Sequence, residues 1–429
     1  MKYNKIALAL AISGMMLPGM ASATDGYFSH GYGMKAKGMG GAATAMASDS
    51  FGGANNPASM VFAGDRLDIG LDWFRPIRSA DGTGRGARQG KSDSESNNFY
   101  IPEFGYNKML SPKMSLGVTV YGNGGMNTDY PGGEIPAGQC GANPANLLCG
   151  SGRLGMNLEQ LIIAPTLAYK VNENNSIGVS PLFGYQKFKA EGLQAFAGIS
   201  TDGTKLTNNG DDTATGWGVR IGWMGKVSDK VTLGAAYSSK IDMSKFDKYK
   251  GLFAEQGDFD IPENWNLGIA VQATPSVLIA ADYQRINYGG VKSVSNPSTQ
   301  PGCPGNQAAC LGGSDGIGFG WKDVDVWKLG VEYKYTNNLT LRAGYNHTDN
   351  PIQARDVTFN IIAPGVIQDH ITLGFTYGLS DKSEVTMSYM HAYQNEVSGP
   401  PNTAYFNVGG TDKIKMYQDS LGIAYGKKF

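Results

Sequence analysis

The chain has 429 residues, with 36 Lys and Arg against 37 Asp and Glu and a formal net charge of −1. That balance excludes the basic excess of a nucleic-acid binder, and a charged fraction of 17% lies well below the roughly 25% of an ordinary soluble domain. Glycine, at 61 residues, is about twice as frequent as usual and is joined by 22 tyrosines, a composition that suits a large single-domain β-barrel.

Residues 1–23 read MKYNKIALALAISGMMLPGMASA, with Lys2 and Lys5 first, an apolar run from Ile6 to Leu17, and Ala21-Ser22-Ala23 as an A-x-A cleavage site. This is the pattern of a secretory signal peptide. The run is shorter than the roughly 20 residues a spanning helix needs. The mature chain is expected to begin at Thr24. No later run is long and apolar enough to span as a helix, so any entry into a membrane has to be by strands.

Residues 24–64 are rich in Gly, Ala and Met. Met34, Met39, Met46 and Met60 are soft, adaptable apolar groups, and the apolar content is too high for a solvated tail. From residue 65 onward the chain alternates with period two. LDIGLDW puts Leu67, Ile69, Leu71 and Trp73 on one face and Asp68, Gly70 and Asp72 on the other. SLGVTVYG, TGWGVRIGWMGKV, TLRAGYN and DSLGIAYGKKF repeat the arrangement. The second face carries Gly, Ser and Thr with scattered charges, rather than the Lys and Glu of a water-facing sandwich. That suits the inside of a barrel whose outside meets lipid.

Six short connections are clusters of turn formers, at 110–113, 171–176, 227–230, 273–276, 335–338 and 379–382. Long ones cover 76–97, 123–156, 188–213, 242–260, 287–322, 349–366 and 396–412. They join about fourteen strands, an even number, with short turns expected on the periplasmic side and long loops outside. A barrel of that size has a lumen too wide for wall side chains to fill, and residues 24–64 are the right size to plug it. The division expected is a signal peptide at 1–23, an N-terminal hatch at 24–64 and an all-β transmembrane barrel at 65–429.

Cys140, Cys149, Cys303 and Cys310 form two close pairs in Gly/Pro/Asn-rich stretches that fall in long loops. An oxidising compartment favours two disulfides within these loops. The rival, a zinc site, lacks the CxxC spacing and a nearby His. Only four His are present, at 30, 347, 370 and 391. His370 and His391 could be neighbours on adjacent strands, but no nucleophile elbow or metal motif accompanies them. No catalysis and no cofactor is expected.

GYGMKAKGMGGAATAMASDSFGGANNPASM, with its Gly-rich start, Ala-rich stretch, Asp49 and then Asn56-Pro57-Ala58 just before the first strand, resembles the N-terminal hatch of the long-chain fatty-acid outer-membrane transporter (FadL) family. That family includes uptake channels for toluene and related aromatics. GVTVYGNGGMNTDYPGG, EQLIIAPTLAYKV, FDIPENWNLGIA and HITLGFTYGLSDK also resemble family segments, so the likeness spans nearly the whole mature chain. It implies a monomeric fourteen-stranded barrel in the Gram-negative outer membrane, closed by the hatch. It further implies passive uptake of hydrophobic molecules, long-chain fatty acids or related lipids, released sideways at a kink in the third strand. Monoaromatic hydrocarbons are the alternative cargo, and a porin for small polar solutes the rival class, to which inward-phase charges at Asp68, Asp72, Arg220, Lys240, Asp282 and Arg342 would be suited. Expected partners are outer-membrane lipid and lipopolysaccharide, with the barrel assembly machinery during biogenesis.

Within that frame, Gly122, Gly124 and Gly125 mark the kink, since glycines in a strand break the ladder and leave no side chain to fill the wall. The Asn56 amide is the candidate to satisfy the backbone freed there, and Pro57 suits a rigid turn. Candidate ligand-contacting residues are Met34, Met39, Met46 and Phe51 in the hatch. On the outside they are Leu147, Leu148, Leu193 and Phe196, expected as apolar landing surfaces. Arg153, Lys187 and Lys189 are cations a carboxylate could use.

Overall fold

A computed structural model describes residues 24–83, 90–299, 302–401 and 409–429; the signal peptide expected at 1–23 lies outside the described residues. Fourteen long strands form the wall: β1 Arg66–Thr83, β2 Phe99–Ser111, β3 Met114–Tyr130, β4 Leu154–Lys170, β5 Asn175–Glu191, β6 Asp212–Ser228, β7 Val231–Ser238, β8 Asn264–Thr274, β9 Val277–Ile286, β10 Val324–Lys334, β11 Leu339–Thr348, β12 Asp369–Ser380, β13 Ser383–Gly399 and β14 Thr411–Lys428. Each is antiparallel to its neighbours in chain order. The sheet closes where β1 pairs with β14, from Arg66↔Lys428 to Thr83↔Thr411. Closure pairs the first strand with the last, as a sheet in lipid requires because lipid offers backbone groups no partner.

The two faces sort as the alternation dictates. Ile69, Leu71 and Trp73 on β1, Trp217, Ile221 and Trp223 on β6, and Leu421, Ile423 and Tyr425 on β14 all stand exposed on the outer face. Asp68, Asp72, Arg220, Asp282 and Arg342 are buried on the inner one. Lys240 does not join them. It follows β7 outside any strand and pairs with Asp260 and Asp242.

The six short turns lie at one end of the barrel and the long loops at the other. Several stretches expected as loop are strand. β1 runs on to Thr83, and Gly90–Asp93 pairs back against it; β3 continues to Tyr130, and β13 to Gly399. The physical reason is height. An 18-residue strand such as β1 is roughly 60 Å long, so even when tilted it rises beyond the roughly 25 Å apolar band. The emergent part keeps its ladder after its outward apolar signal has faded.

Above the wall the loops pack into a cap. Phe188, Phe246, Tyr249, Phe253 and Phe259 form one aromatic cluster in it, with Phe188 and Tyr249 edge to face at 4.8 Å. Disulfides Cys140–Cys149 and Cys303–Cys310 each staple their own loop.

Candidate functional site

The ladder between β2 and β3 stops partway along the wall. These strands pair from Ser111↔Met114 up to Phe104↔Val120 and no further. Beyond that point β2 keeps β1 as a partner as far as Phe74↔Phe99. β3 keeps β4, with a register shift between Gly122 and Gly124 that leaves Asn123 as a bulge. Phe99–Glu103 and the released part of β3 therefore face each other without a ladder. The loop after β1 bridges the top of this gap, where Glu95 N donates to Asp129 O at 2.8 Å. A Cβ on Gly122 would stand 2.9 Å from Ile101 Cγ2, so the buried Ile101 side chain packs where a side chain at 122 would lie.

The backbone freed by the bulge is satisfied from inside by residues 27–32. Ser29 N donates to Asn123 O at 3.0 Å, and Gly125 N donates to Tyr27 O at 3.0 Å. The Tyr32 hydroxyl donates to Asn123 O at 3.1 Å, its ring lies 4.7 Å from that of Tyr121, and Asn123 Nδ2 donates to Gln160 Oε1 at 2.9 Å. The partner expected from sequence, Asn56, is elsewhere. Its Nδ2 donates to Thr44 O and to Trp223 O on β6, at 2.7 and 2.9 Å, while its Oδ1 accepts from Ala58 N and caps the short turn Pro57–Ser59. Gly124 is likewise placed differently than a gap-blocking site requires. A Cβ there would run into Tyr27 O, so any side chain displaces residues 27–29 rather than filling the gap.

Residues 24–64 contact inward-facing groups around the barrel. Lys37 pairs with Asp72 on β1 at 2.5 Å and Lys35 with Glu384 on β13 at 2.6 Å; Ala43 N and Thr44 N both donate to Asp282 on β9, at 2.8 and 2.9 Å. Between these anchors the wall offers glycine. Gly178 lies against Pro57, Gly222 against Asn56, Gly234 against Thr44, Gly330 against Met39, Gly344 against Gly40, and Gly422 against Met34. None has room for a Cβ without a shift. Several are ladder partners, as in Gly178↔Gly222 and Gly330↔Gly344. The small inner face seen in the sequence is thus a belt that lets residues 24–64 lie directly on the backbone of the wall.

Met34, Met39 and Phe51 are buried in this packing, and Met46 borders an open cavity at the short-turn end. Leu147, Leu148, Leu193 and Phe196 are buried too, at 3% exposure or less. They belong to the core of the loop cap, where the loops bury their apolar side chains against one another, and they present no outer landing surface. Arg153 is held by Asp129 and Glu95, Lys187 by Asp211 and Lys189 by Glu191, so each of these cations already has its carboxylate. His370 and His391 sit on adjacent strands but on opposite faces. His370 is buried and stacked on His30 at 6.0 Å, whereas His391 pairs with Asp419 at 2.9 Å.

A small apolar cavity, about 20 Å³ in volume, adjoins the released segment of β3. Phe74 and Pro76 of β1, Met126 of β3, Trp321, Met416 of β14 and Arg78 line it. Arg78 was not anticipated, although the inward parity of Asp72, Phe74 and Pro76 runs straight on to it.

The family described as "Outer membrane protein transport protein (OMPP1/FadL/TodX)" matches residues 27–425. Among solved structures, the Pseudomonas putida toluene transporter TodX is similar at 19% identity and a TM-score of 0.69, over 93% of this chain and 99% of that one. A Pseudomonas aeruginosa FadL homologue is similar at 16% identity and 0.69, over 94% and 100%. The Ralstonia pickettii toluene transporter TbuX is similar at 17% and 0.64, over 93% and 99%. At these identities the likeness is one of fold. No curated protein matches the chain in sequence.

Proposed function

Because the chain belongs to the OMPP1/FadL/TodX family of outer-membrane transport proteins, β-barrel channels of Gram-negative bacteria for hydrophobic solutes, we propose that it takes up such solutes passively and releases them sideways into the membrane through the gap between β2 and β3. Residues 24–64 act as the hatch that bars the straight route, and Tyr27–Ser29 act as the gate behind the gap.

The observation that carries this reading is the adjacency of an apolar cavity to a break in the wall. An apolar solute gains nothing from a water-filled pore. It needs a path lined by apolar groups with few polar anchors, leading to lipid rather than to water. Long-chain fatty acids or related lipids are the first candidates; monoaromatic hydrocarbons are the alternative, to which the toluene transporters of similar fold lend weight.

The test is uptake of radiolabelled oleate and of toluene by cells producing the protein, set beside liposome swelling in arabinose with the purified protein. Accelerated uptake of either apolar compound with little swelling is the expected result. Rapid swelling with no apolar uptake would overturn the proposal in favour of a porin for small polar solutes.

A further inference from the structure

The start of the hatch carries a buried charge with an incomplete set of partners. Asp25 is fully buried, and among the described residues neither of its carboxylate oxygens has a hydrogen-bond donor. Its cation is Lys328 on β10, whose Nζ stands 3.9 Å away and donates instead to His30 O at 3.0 Å. Lys328 also faces a second carboxylate. Asp282, its cross-strand partner on β9, is buried as well and accepts from the hatch amides of Ala43 and Thr44. Two buried carboxylates thus share one ammonium. Elsewhere inside the barrel the match is direct, as in Lys37 with Asp72 and Arg342 with Glu332.

A second cation can arise at the adjacent residue. Ala21-Ser22-Ala23 is the A-x-A site after which the mature chain is expected to begin. Thr24 is itself buried. Its N donates to Phe28 O at 3.0 Å, as do its Oγ1 at 2.8 Å and the N of Asp25 at 3.0 Å. Three donors converge on one carbonyl, while the carboxylate beside them has none. Hydrolysis of the Ala23–Thr24 bond changes that balance. Water gives its hydroxyl to the carbonyl carbon of Ala23 and a proton to the nitrogen of Thr24. At neutral pH that nitrogen is an ammonium, with three N–H groups where the amide had one. One can stay on Phe28 O, and the Asp25 carboxylate on the next residue is within reach of the others. The buried group then holds two carboxylates and two ammoniums, and buried charges are tolerated when they are paired and hydrogen-bonded.

We propose that cleavage between Ala23 and Thr24, by water and a leader peptidase, creates the cation that completes the Asp25–Lys328–Asp282 group, and that this new α-ammonium fastens the start of the hatch. The residues that follow show what is fastened. Asp25 and Phe28 pair in a tight turn, and the Tyr288 hydroxyl donates to Asp25 O at 2.6 Å and accepts from Tyr27 N at 3.1 Å. Tyr27 O and Ser29 N then hold Gly125 and Asn123 of β3. The ion group, the turn and the backbone that serves the bulge are one connected unit. Processing of the chain is in this way a step in seating the hatch, whatever solute the channel carries.

The test uses the exported, purified protein in neutral detergent: wild type, Asp25→Asn, a variant with one glycine inserted between Ala23 and Thr24, and the two changes combined. Intact mass should place the wild-type terminus at Thr24. Reductive methylation of the α-amine, read on the N-terminal peptide, should be at least about tenfold slower in the folded protein than after unfolding in guanidinium chloride. Hydrogen exchange at the amides of Ser29 and Gly125 should be faster by at least about the same factor in either single variant, since each leaves one buried charge unbalanced. The combined variant removes one charge of each sign, so its exchange should return toward the wild-type rate. A mature chain that starts elsewhere, an α-amine as reactive folded as unfolded, or two changes whose effects simply add would each overturn the inference. Should a variant fail to insert, the methylation rate of wild type decides alone.

Discussion

The amide of Gly125 donates to the carbonyl oxygen of Tyr27 at 3.0 Å, joining a strand of the wall to a segment that precedes the wall in the chain. Together with the bond from Ser29 N to Asn123 O it makes residues 27–29 a short substitute for the missing neighbour of β3. The gap can exist in lipid because this substitute satisfies the bulge. In the proposed route, opening the gate would expose those backbone groups, and a solute passing through would have to shield them or let water in.

Gly122→Leu should close the route. Its side chain would occupy the space facing Ile101 across the gap, where a Cβ already comes within 2.9 Å. Barrel folding, read as heat-modifiable mobility on gels, should be retained, and apolar uptake should fall toward the level of cells lacking the protein. Gly124→Ala should act in the opposite sense. By displacing Tyr27 it should loosen the gate and raise leakage of small solutes.

Deleting residues 24–55 should raise the permeability of liposomes to arabinose. The lumen would lose the segment that bridges Asp72, Asp282 and Glu384, and the glycine belt has no side chains to take up the space. Unchanged swelling would count against the hatch.

Lys37→Met should destabilise the seated hatch by about 3–5 kcal/mol, because it leaves Asp72 buried and unpaired. The double change Lys37→Met with Asp72→Leu should recover much of the loss, since both charges are then gone. Urea titration in lipid vesicles, followed by protease sensitivity of the hatch, gives the comparison.

The loop between β7 and β8 should tighten as pH falls. Burial pushes the Asp258 carboxyl up to about 6, helped by the nearby Asp260 and Glu255 carboxylates and opposed by Lys240 and Lys245. A carboxyl raised above its unfolded value stabilises the fold most below about pH 4, and that contribution is lost as pH rises through about 6. Hydrogen exchange of residues 241–260, taken as the ratio of wild type to Asp258→Asn at each pH, should show more protection at pH 5 than at pH 7.5.

The barrel was legible because alternation is a local signal. Ile69 and Trp73 against Asp68 and Asp72 announce both the strand and its two environments. The turns were legible for a similar reason, as clusters of Asn, Asp, Ser and Pro with nothing to bury. The Gly122–Gly125 run marked the bulge because glycines on either side of Asn123 let the strand bend there. What stayed hidden depends on distant partners. Nothing in residues 24–64 says that Ser29 and Tyr32 rather than Asn56 meet Asn123. Arg78 was lost behind Pro76, which reads as the end of a strand. Pro76 is tolerated because β2 stops at Phe74↔Phe99 and leaves its missing N–H facing no ladder partner on that side. The proline that seemed to end the strand lies beside the gap.

The glycine belt also ties the N-terminal segment to the seam of the barrel. Met34 lies against Gly422 of the last strand, beside the point where Asp72↔Gly422 joins the last strand to the first, and Lys37 pairs with that same Asp72. A side chain in place of Gly422 would meet the Met34 sulfur. One short stretch of the segment thus rests on both sides of the join, as a batten rests across two planks.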